Sequence, residues 1–396
     1  MSNQSQATQT LQGVIVPKSA INPREFFKRT RRQYVLQKSI GNWQGLGATD
    51  VVDTLRSGVL SGYYVHVVGS FTVALPTGTC ATTAQWPYSL LRAARFQANG
   101  QSNLINANGW HLRAREVARG AEFDDRGITQ YFGGAYPGTA RTQGTLALAA
   151  ESWGVGAAVT GISAGTYSFD LSYYVPVAYE TQKLTGAVFC QTQSTTLELN
   201  LDWANLTDLF VLTGTASVTF NTVAVTVEAE MFTIPSDGNG GMFLPNLSSF
   251  HSFIQTKAPN AINQGQNEIT LAGQGVGRQL MGIFWRTMNG SPLAPVIPTA
   301  ANVTSPYWRF GTNNTPETWM DGQSLRYINE RSYNTDVAAL AGFQVIDFDR
   351  EFAFRDAVDE GSATELRFGY NLTTNVTINN ASCEYSQDVV LAGAAA

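Results

Sequence analysis

The chain has 396 residues, of which 43% are hydrophobic and only 14% are charged, whereas soluble globular proteins average about 25% charged residues. This length is sufficient for two or three domains, and so little charge indicates that much of the surface faces other protein. The net charge of -5 argues against nucleic acid as the main partner. However, residues 1–45 carry seven Lys or Arg and one acidic residue, which makes the start of the chain a basic arm.

The strongest helix signal lies in this arm. Asn22 is placed as the N-cap, Pro23 at the first helical position and Glu25 at the capping-box position, so the sequence predicts a helix over about residues 23–38. At 100° per residue, one side of this helix is aromatic and the other basic. The residues predicted to face a membrane or the inner surface of an assembly are Arg24, Phe26, Phe27, Lys28, Arg31, Arg32 and Tyr34.

Two compatible interpretations of this amphipathic helix remain open. Its basic side could bind anionic lipid headgroups, each charge contributing on the order of 1 kcal/mol near the surface, with the aromatic residues making the apolar contact. Alternatively, the aromatic residues dock on the folded body while the basic side stays solvated. Binding of RNA or DNA by the arm is a third option.

From about residue 46 onward the hydrophobic pattern has a period of two, which predicts half-buried strands. Clear examples are residues 197–203, 223–231 and 366–372, and further predicted strands are 63–75, 167–179, 343–348 and 376–384. Asn-Gly and Asp-Gly pairs, including those that begin at Asn108 and Asp321, predict tight turns between them. The sequence therefore indicates an all-β protein built from Greek-key sandwiches.

The stretch 234–241, rich in Gly, Pro, Ser and Asp, is the best linker candidate. It predicts a tail and basic helix over residues 1–45, a first eight-stranded jelly roll over 46–234, and a second jelly roll with a C-terminal tail over 235–396.

Cysteine usage and the termini indicate where the protein is made. Cys80, Cys190 and Cys383 are far apart and odd in number, so they support neither a disulfide framework nor a zinc site and predict free thiols. The N-terminus lacks the segments of a signal peptide, and no run of 18 apolar residues offers a membrane span. We therefore expect synthesis in a cytoplasm.

Motifs that could carry chemistry are weak. Residues 161–165 match G-x-S-x-G, but an alternating strand follows where the nucleophile elbow needs a helix, so a glycine-rich loop is favoured. Of the three histidines, His66 lies in a Val-rich strand and is interpreted as hydrogen-bonded or outward-facing, and His111 as a packing or interface residue. The third histidine, His251, is not part of a recognisable motif. No catalytic residue, metal site or cofactor is predicted.

Acidic groups could bind a cation or form a glycosidase dyad. Alternation places Asp347 and Asp349 on one strand face, where exposure to solvent is the favoured interpretation. The other acidic residues considered are Glu122, Asp124, Asp125 and Glu351.

Three stretches together resemble the major capsid protein of tectiviruses, bacteriophages that contain a membrane. They occur in the same order and at similar spacing as in that family, and the resemblance covers about residues 60–250, whereas the arm and residues 291–334 depart from it. The stretches are Tyr173-Tyr174-Val175-Pro176-Val177-Ala178-Tyr179 with Leu184-Thr185-Gly186-Ala187-Val188, Gly109-Trp110-His111-Leu112, and Gly240-Gly241-Met242-Phe243-Leu244-Pro245.

The resemblance implies two jelly rolls side by side and a homotrimeric, pseudo-hexagonal block. Such blocks would tile an icosahedral virion shell over an internal membrane and a dsDNA genome, assembled in a bacterial cytoplasm. The implied partners are neighbouring trimers, minor capsid or vertex proteins, and membrane lipids through the arm, without sequence-specific nucleic-acid binding.

Two other functions remain open from the sequence. An extracellular carbohydrate-binding or glycosidase jelly roll would need the export signal that the sequence lacks. A peripheral membrane scaffold would use the arm alone.

Overall fold

The computed structural model describes residues 8–11, 14–17, 21–40, 43–98, 101–120, 158, 160–191, 196–238, 240–257, 262–271, 275–311, 314–333, 337–339, 341–361 and 365–392. Its helices are α1 (Pro23–Arg29), α2 (Gly109–Gly120), α3 (Leu206–Leu209) and α4 (Gly322–Tyr333), with 3-10 turns at Tyr88–Leu90 and Val337–Ala339.

Strands dominate both halves of the chain. Those of the N-terminal half are β1 (Thr8–Leu11), β2 (Val14–Pro17), β3 (Arg32–Ile40), β4 (Thr49–Asp53), β5 (Val59–Ala74), β6 (Cys80–Thr82), β7 (Leu91–Ala98), β8 (Gln101–Ala107), β9 (Gly165–Pro176), β10 (Val188–Phe189), β11 (Leu197–Trp203), β12 (Phe210–Leu212) and β13 (Ser217–Phe232). Those of the C-terminal half are β14 (Ser249–Lys257), β15 (Gly265–Thr270), β16 (Arg278–Asn289), β17 (Ala294–Pro295), β18 (Val303–Phe310), β19 (Asn314–Thr318), β20 (Gln344–Asp347), β21 (Val358–Asp359), β22 (Leu366–Leu372) and β23 (Ser382–Ala392).

The first barrel encloses the larger hydrophobic core. One of its sheets has the order β10-β5-β13-β3, with β9 also paired to β5. The opposing strands are β4, β11, β7 and β8. Val65 and Val225 from the first sheet pack in one fully buried cluster with Phe96 and Leu199 from the opposing strands, as expected where alternate residues of two sheets interdigitate.

The second barrel is built in the same way around its own core. A four-stranded sheet of order β15-β22-β18-β19 packs on β16 and β23. Trp285 of β16 stacks on Tyr370 of β22 with ring centroids 4.5 Å apart, and both rings belong to a core separate from that of the first barrel.

One ten-stranded sheet runs through both barrels. Its main order is β17-β16-β23-β14-β8-β7-β11-β4, with β20 and β21 also paired to β16. The barrels join where β14 pairs parallel to β8, opposing Phe253 to Ile105 and Ile254 to Asn106. The prediction of an all-β protein with two jelly rolls side by side is confirmed.

The predicted helix over residues 23–38 is wrong in extent. Helix α1 ends at Arg29, and Thr30 leaves it with an extended backbone. Residues Arg32–Ile40 then form β3, which pairs antiparallel to β13. Since β5 already covers the other edge of β13, β3 satisfies backbone groups that a helix would leave unpaired.

Two Gly-containing turn signals start helices instead of hairpins. Asn108 Oδ1 accepts the N–H of His111 at 3.0 Å, and Asp321 Oδ1 accepts the N–H of Ser324 at 2.7 Å. Each side chain therefore caps the first turn of α2 or α4, which is the other common use of Asn and Asp.

The predicted strand over residues 376–384 begins only at Ser382. The preceding residues form a loop in which Asn380 has a φ of 54°, a left-handed conformation that ends strand pairing. The Nδ2 group of Asn289 donates to the carbonyl of Thr377 at 2.9 Å and helps to hold this loop.

Candidate functional site: the basic arm and the barrel interface

Local capping determines where α1 begins. Asn22 Oδ1 accepts the N–H of Glu25 at 3.2 Å, and Pro23 occupies the first helical position, as the sequence predicted. The N–H of Asn22 donates to the carbonyl of Leu244 at 3.0 Å, so the start of the helix is fixed to the segment that connects the two barrels.

Phe26 anchors α1 to the first barrel. Its side chain is fully buried in a small cluster that includes Leu184, Phe232 and Leu244. Full burial of such a side chain contributes about 1.5–3 kcal/mol. This matches the interpretation in which the aromatic residues of the arm dock on the body.

The remaining surface of α1 stays accessible. Arg24, Phe27 and Lys28 are exposed, and Lys28 Nζ lies 3.1 Å from Glu25 Oε1. The hydrogen bond from Lys28 and its positive charge lower the pKa of the Glu25 carboxyl. Arg29 is exposed as well and lies 3.4 Å from the same carboxylate. The helix therefore presents three cationic side chains and one aromatic ring at this end of the barrel.

Three predicted arm residues lie beyond the helix. Arg31 is exposed in the connection, where its N–H donates to Thr233 Oγ1 at 2.9 Å. On β3, Arg32 Nε lies 3.3 Å from the buried carboxylate of Glu230. Tyr34 is 54% exposed. The structure thus divides the seven predicted residues among a short helix, the connection after it and an edge strand, and their inner-surface role stays a prediction.

A buried ionic cluster between the barrels is a feature that sequence reasoning missed. Helix α2 of the first barrel points Arg115 and Arg119 at Asp388 of β23. Arg115 Nε donates to Asp388 Oδ2 at 2.9 Å, and Arg119 Nη1 lies 3.0 Å from Asp347 Oδ1. His251 Nε2 lies 2.6 Å from the second oxygen of Asp388.

Asp388 is ionised in this setting. Burial alone would raise its pKa, but the charges of Arg115 and Arg119 and the hydrogen bond with His251 hold the pKa well below its usual range. Burial likewise opposes the charge of Arg119, while Asp347 and Asp388 raise its pKa. Such a cluster is costly to desolvate, but removing one member leaves an unpaired buried charge. It therefore fixes how the two barrels sit against each other.

The sequence indicated only some of the residues that lie between the barrels around this cluster. His111 was interpreted as a packing or interface residue, and its buried ring lies edge-on to Phe343 with Nδ1 2.9 Å from Ser386 Oγ. Three arginines in the 12-residue α2 could have indicated buried ion pairs. Nothing local points to Asp388, which is 273 residues from Arg115.

The rejected chemical motifs have structural roles where they are described. His66 lies on the outer face of β5, and its Nε2 is 2.6 Å from Asp170 Oδ1, as interpreted. Residues 161–164 form a loop before β9. The three cysteines are free and buried.

The expected solvent exposure of Asp347 and Asp349 is wrong. Asp349 is 3% exposed and accepts a hydrogen bond from Tyr179 at 3.1 Å, while Asp347 pairs with Arg119. Among the described residues no group of His, Cys, Asp or Glu could hold a metal ion. Glu122, Asp124 and Asp125 lie outside the described residues.

No helix in the described ranges is both long and apolar enough to span a bilayer.

The fold is that of viral major capsid proteins. The chain is similar to the crystal structure of the STIV (Sulfolobus Turreted Icosahedral Virus) MCP, with a TM-score of 0.63, 13% identity, and coverage of 92% of this chain and 97% of that one. It is also similar to the Faustovirus major capsid protein (TM-score 0.54, 9% identity, 92% and 91% covered). The PBCV-1 virus capsid gives a TM-score of 0.53 with 11% identity and 91% and 94% covered.

Residues 48–237 match the family described as P3 major capsid protein N-terminal. No curated protein matches the chain in sequence. The fold of the chain is therefore that of double jelly-roll major capsid proteins, and the family match over residues 48–237 agrees with the tectivirus-type resemblance of residues 60–250.

Proposed function

We propose that the chain is the building block of an icosahedral shell and works as a homotrimer. The observation that supports this most is the pair of barrels held side by side by one continuous sheet. Three such chains would supply six barrels and approximate a hexagonal tile, a shape suited to closed packing on a surface. The role is structural, and we propose no catalytic activity.

The domain boundaries belong to the same proposal. We assign residues 46–234 to the first barrel and 235–396 to the second, with residues 1–45 as the arm. A core made only of residues from the second segment supports this division. The larger core also takes in Phe253, Phe284 and Phe343 of that segment, where α2 and β8 contact the second barrel. The expected partners are neighbouring trimers and minor capsid or vertex proteins of a dsDNA bacteriophage assembled in the bacterial cytoplasm.

We further propose that α1 faces the lipid of an internal membrane. Arg24, Phe27 and Lys28 are the exposed residues that support this, because cationic and aromatic side chains together favour an anionic membrane surface. Arg31 extends the same basic surface. Phe26 takes part only as the anchor of the helix on the barrel, while Arg32 and Tyr34 belong to β3.

Measuring the mass of the purified protein in solution tests the proposed assembly. Light scattering after size-exclusion chromatography should give three times the monomer mass of 42.9 kDa. The trimer should persist on dilution to micromolar concentration. A monomer at that concentration, together with absence of the chain from virus particles, would contradict the proposal.

A further inference from the structure

Strand β3 is an edge strand with unusual exposure. It ends the order of its sheet, and Tyr34 and Leu36 on it are 54% and 53% exposed. Leu55 is 51% exposed and lies beside the same strand, because its N–H donates to Gln37 Oε1 at 2.7 Å. An exposed edge that carries large apolar side chains is a surface on which another chain can bind.

Basic residues surround this apolar edge. Arg31, Lys38 and Arg56 are exposed there, with Asp53 as the exposed acidic residue on neighbouring β4. The side chain of Lys38 extends from β3 towards β4, where its Nζ donates to the carbonyl of Val51 at 2.6 Å. We name this surface the β3 flank; it comprises Arg31, Tyr34, Leu36, Lys38, Leu55 and Arg56.

The second barrel carries a surface of opposite charge. A groove of about 580 Å³ lies between β19 and the segment that follows β20, and the side chains of Trp308 and Phe348 line it. Its exposed charges are the carboxylates of Glu317, Glu351 and Asp356 and the guanidinium groups of Arg350 and Arg355, whereas the side chains of Asp347 and Asp349 are buried in its wall. We name this surface the groove flank.

The acidic rim of the groove flank is accessible. The side chains of Glu351 and Asp356 are 69% and 62% exposed. Arg355 lies 3.6 Å from Glu351 and 3.1 Å from Asp356. With Glu317 and Arg350 included, the rim has three exposed carboxylates and two guanidinium groups, a net charge of -1. The β3 flank with Asp53 thus has a net positive charge and the rim of the groove flank a net negative charge, so the two surfaces are complementary in sign.

We propose that the β3 flank of one copy of this chain binds the groove flank of a second copy. The flanks belong to different barrels, because β3 ends the five-stranded sheet of the first barrel and β19 ends the four-stranded sheet of the second. The contact is therefore heterologous, and three such contacts can close a ring. This inference rests on the proposed trimer and assigns the surfaces that hold it together.

Charge reversal tests the assignment in the full-length chain. The first variant, Arg31→Glu with Lys38→Glu, places acid against acid; the second, Glu351→Lys with Asp356→Lys, places base against base. Each should weaken association on the order of 100-fold, because like charges at an interface cost several kcal/mol. Combining all four substitutions restores opposite charges and should recover the trimer to within about tenfold of the unmodified protein.

A matched control separates contact from net charge. Arg92→Glu with Lys257→Glu makes the same change in charge at exposed positions outside both flanks and should leave the trimer intact. Melting temperatures of all variants, followed by circular dichroism, establish that each one is folded. Light scattering over a dilution series then gives the association constants.

The outcomes distinguish this inference from the trimer itself. A monomeric unmodified protein contradicts the proposed function. A trimer that survives both single-flank reversals, or a four-substitution variant that stays dissociated, contradicts the assigned surfaces while the trimer stands. If Arg31→Glu with Lys38→Glu abolishes binding to anionic vesicles and leaves the trimer unchanged, the β3 flank faces lipid instead of a second copy.

Discussion

Glu268 shows how one carboxylate stabilises the outer surface of the second barrel. Tyr307 donates to its Oε2 at 2.6 Å, and Arg309 Nη2 donates to its Oε1 at 2.6 Å. Arg367, on the strand between them, donates to the same oxygen. Burial alone would raise the pKa of Glu268, but these hydrogen bonds lower it to about 2 from an ordinary value of 4.5.

The depressed pKa makes the stabilisation dependent on pH. It is fully present above about pH 4.5, where the carboxyl is ionised in both states, and is lost as pH falls towards 2. We expect Glu268→Gln to lower the free energy of unfolding by about 1 kcal/mol at pH 7, after allowing for solvent screening. Near pH 2 the difference should disappear.

Urea unfolding at the two pH values measures this change. Glu330→Gln, at an exposed position on α4, is the matched control and should have little effect at either pH. An equal loss for Glu268→Gln at pH 7 and pH 2 would show that the ionised carboxylate is not the cause.

Single-residue roles were predictable from the sequence only where their partners are close in the chain. The capping of α1 by Asn22 depends on a residue three positions away and was predicted correctly. The burial of Asp347 depends on Arg119, 228 positions away, and the prediction of exposure failed. The alternation of polar and apolar residues within a strand does not indicate a partner so far away in the sequence.

At the scale of elements, the arm shows that tertiary pairing outweighs local periodicity. Residues 32–38 repeat aromatic and basic side chains in a way that fits a helix, yet they form an edge strand because β13 offers an open edge. The first helical turns persist because capping and the burial of Phe26 stabilise them. Period-two segments such as β11 and β22 were predicted correctly, since their alternation reflects a buried and an exposed face.

Phe26 and Phe27 provide a matched pair that separates docking of α1 from lipid contact. Phe26→Ala should lower the free energy of unfolding by about 3–5 kcal/mol, or release α1 to proteolysis if only the helix detaches, because it empties a packed site. Phe27→Ala should change stability by less than about 0.5 kcal/mol but weaken co-sedimentation with anionic vesicles. Unchanged vesicle binding by Phe27→Ala would argue against lipid contact through this ring.

At the scale of the whole molecule, two barrels could be predicted but their connection could not. Strand count and the linker at 234–241 indicated two sandwiches. The shared sheet depends on only two opposed residue pairs between β8 and β14, and the ionic cluster depends on arginines in a helix that the sequence did not predict. Contacts between the barrels are not predicted by hydrophobic periodicity, because each one joins a single pair of residues and does not recur along a strand or helix.

Arg115 tests whether the barrels unfold as one unit. Arg115→Ala leaves the fully buried Asp388 without its closest cation and should cost about 3–5 kcal/mol. Since the cluster joins both barrels, we expect one calorimetric transition, shifted as a whole to lower temperature. Arg92→Ala, at an exposed site on β7, is the control. Two separated transitions, with the second barrel melting as before, would contradict this coupling.

The ten-stranded sheet also bears on how a shell of such subunits can curve. Because one sheet runs from β4 to β16 and the ionic cluster also joins the two barrels, we expect the subunit to bend little between its barrels. A closed shell must nevertheless be curved everywhere in order to enclose a volume. In the proposed shell, the curvature would then arise at the contacts between neighbouring tiles. The angle between tiles would set the radius of the particle, and deformation within a tile would contribute little.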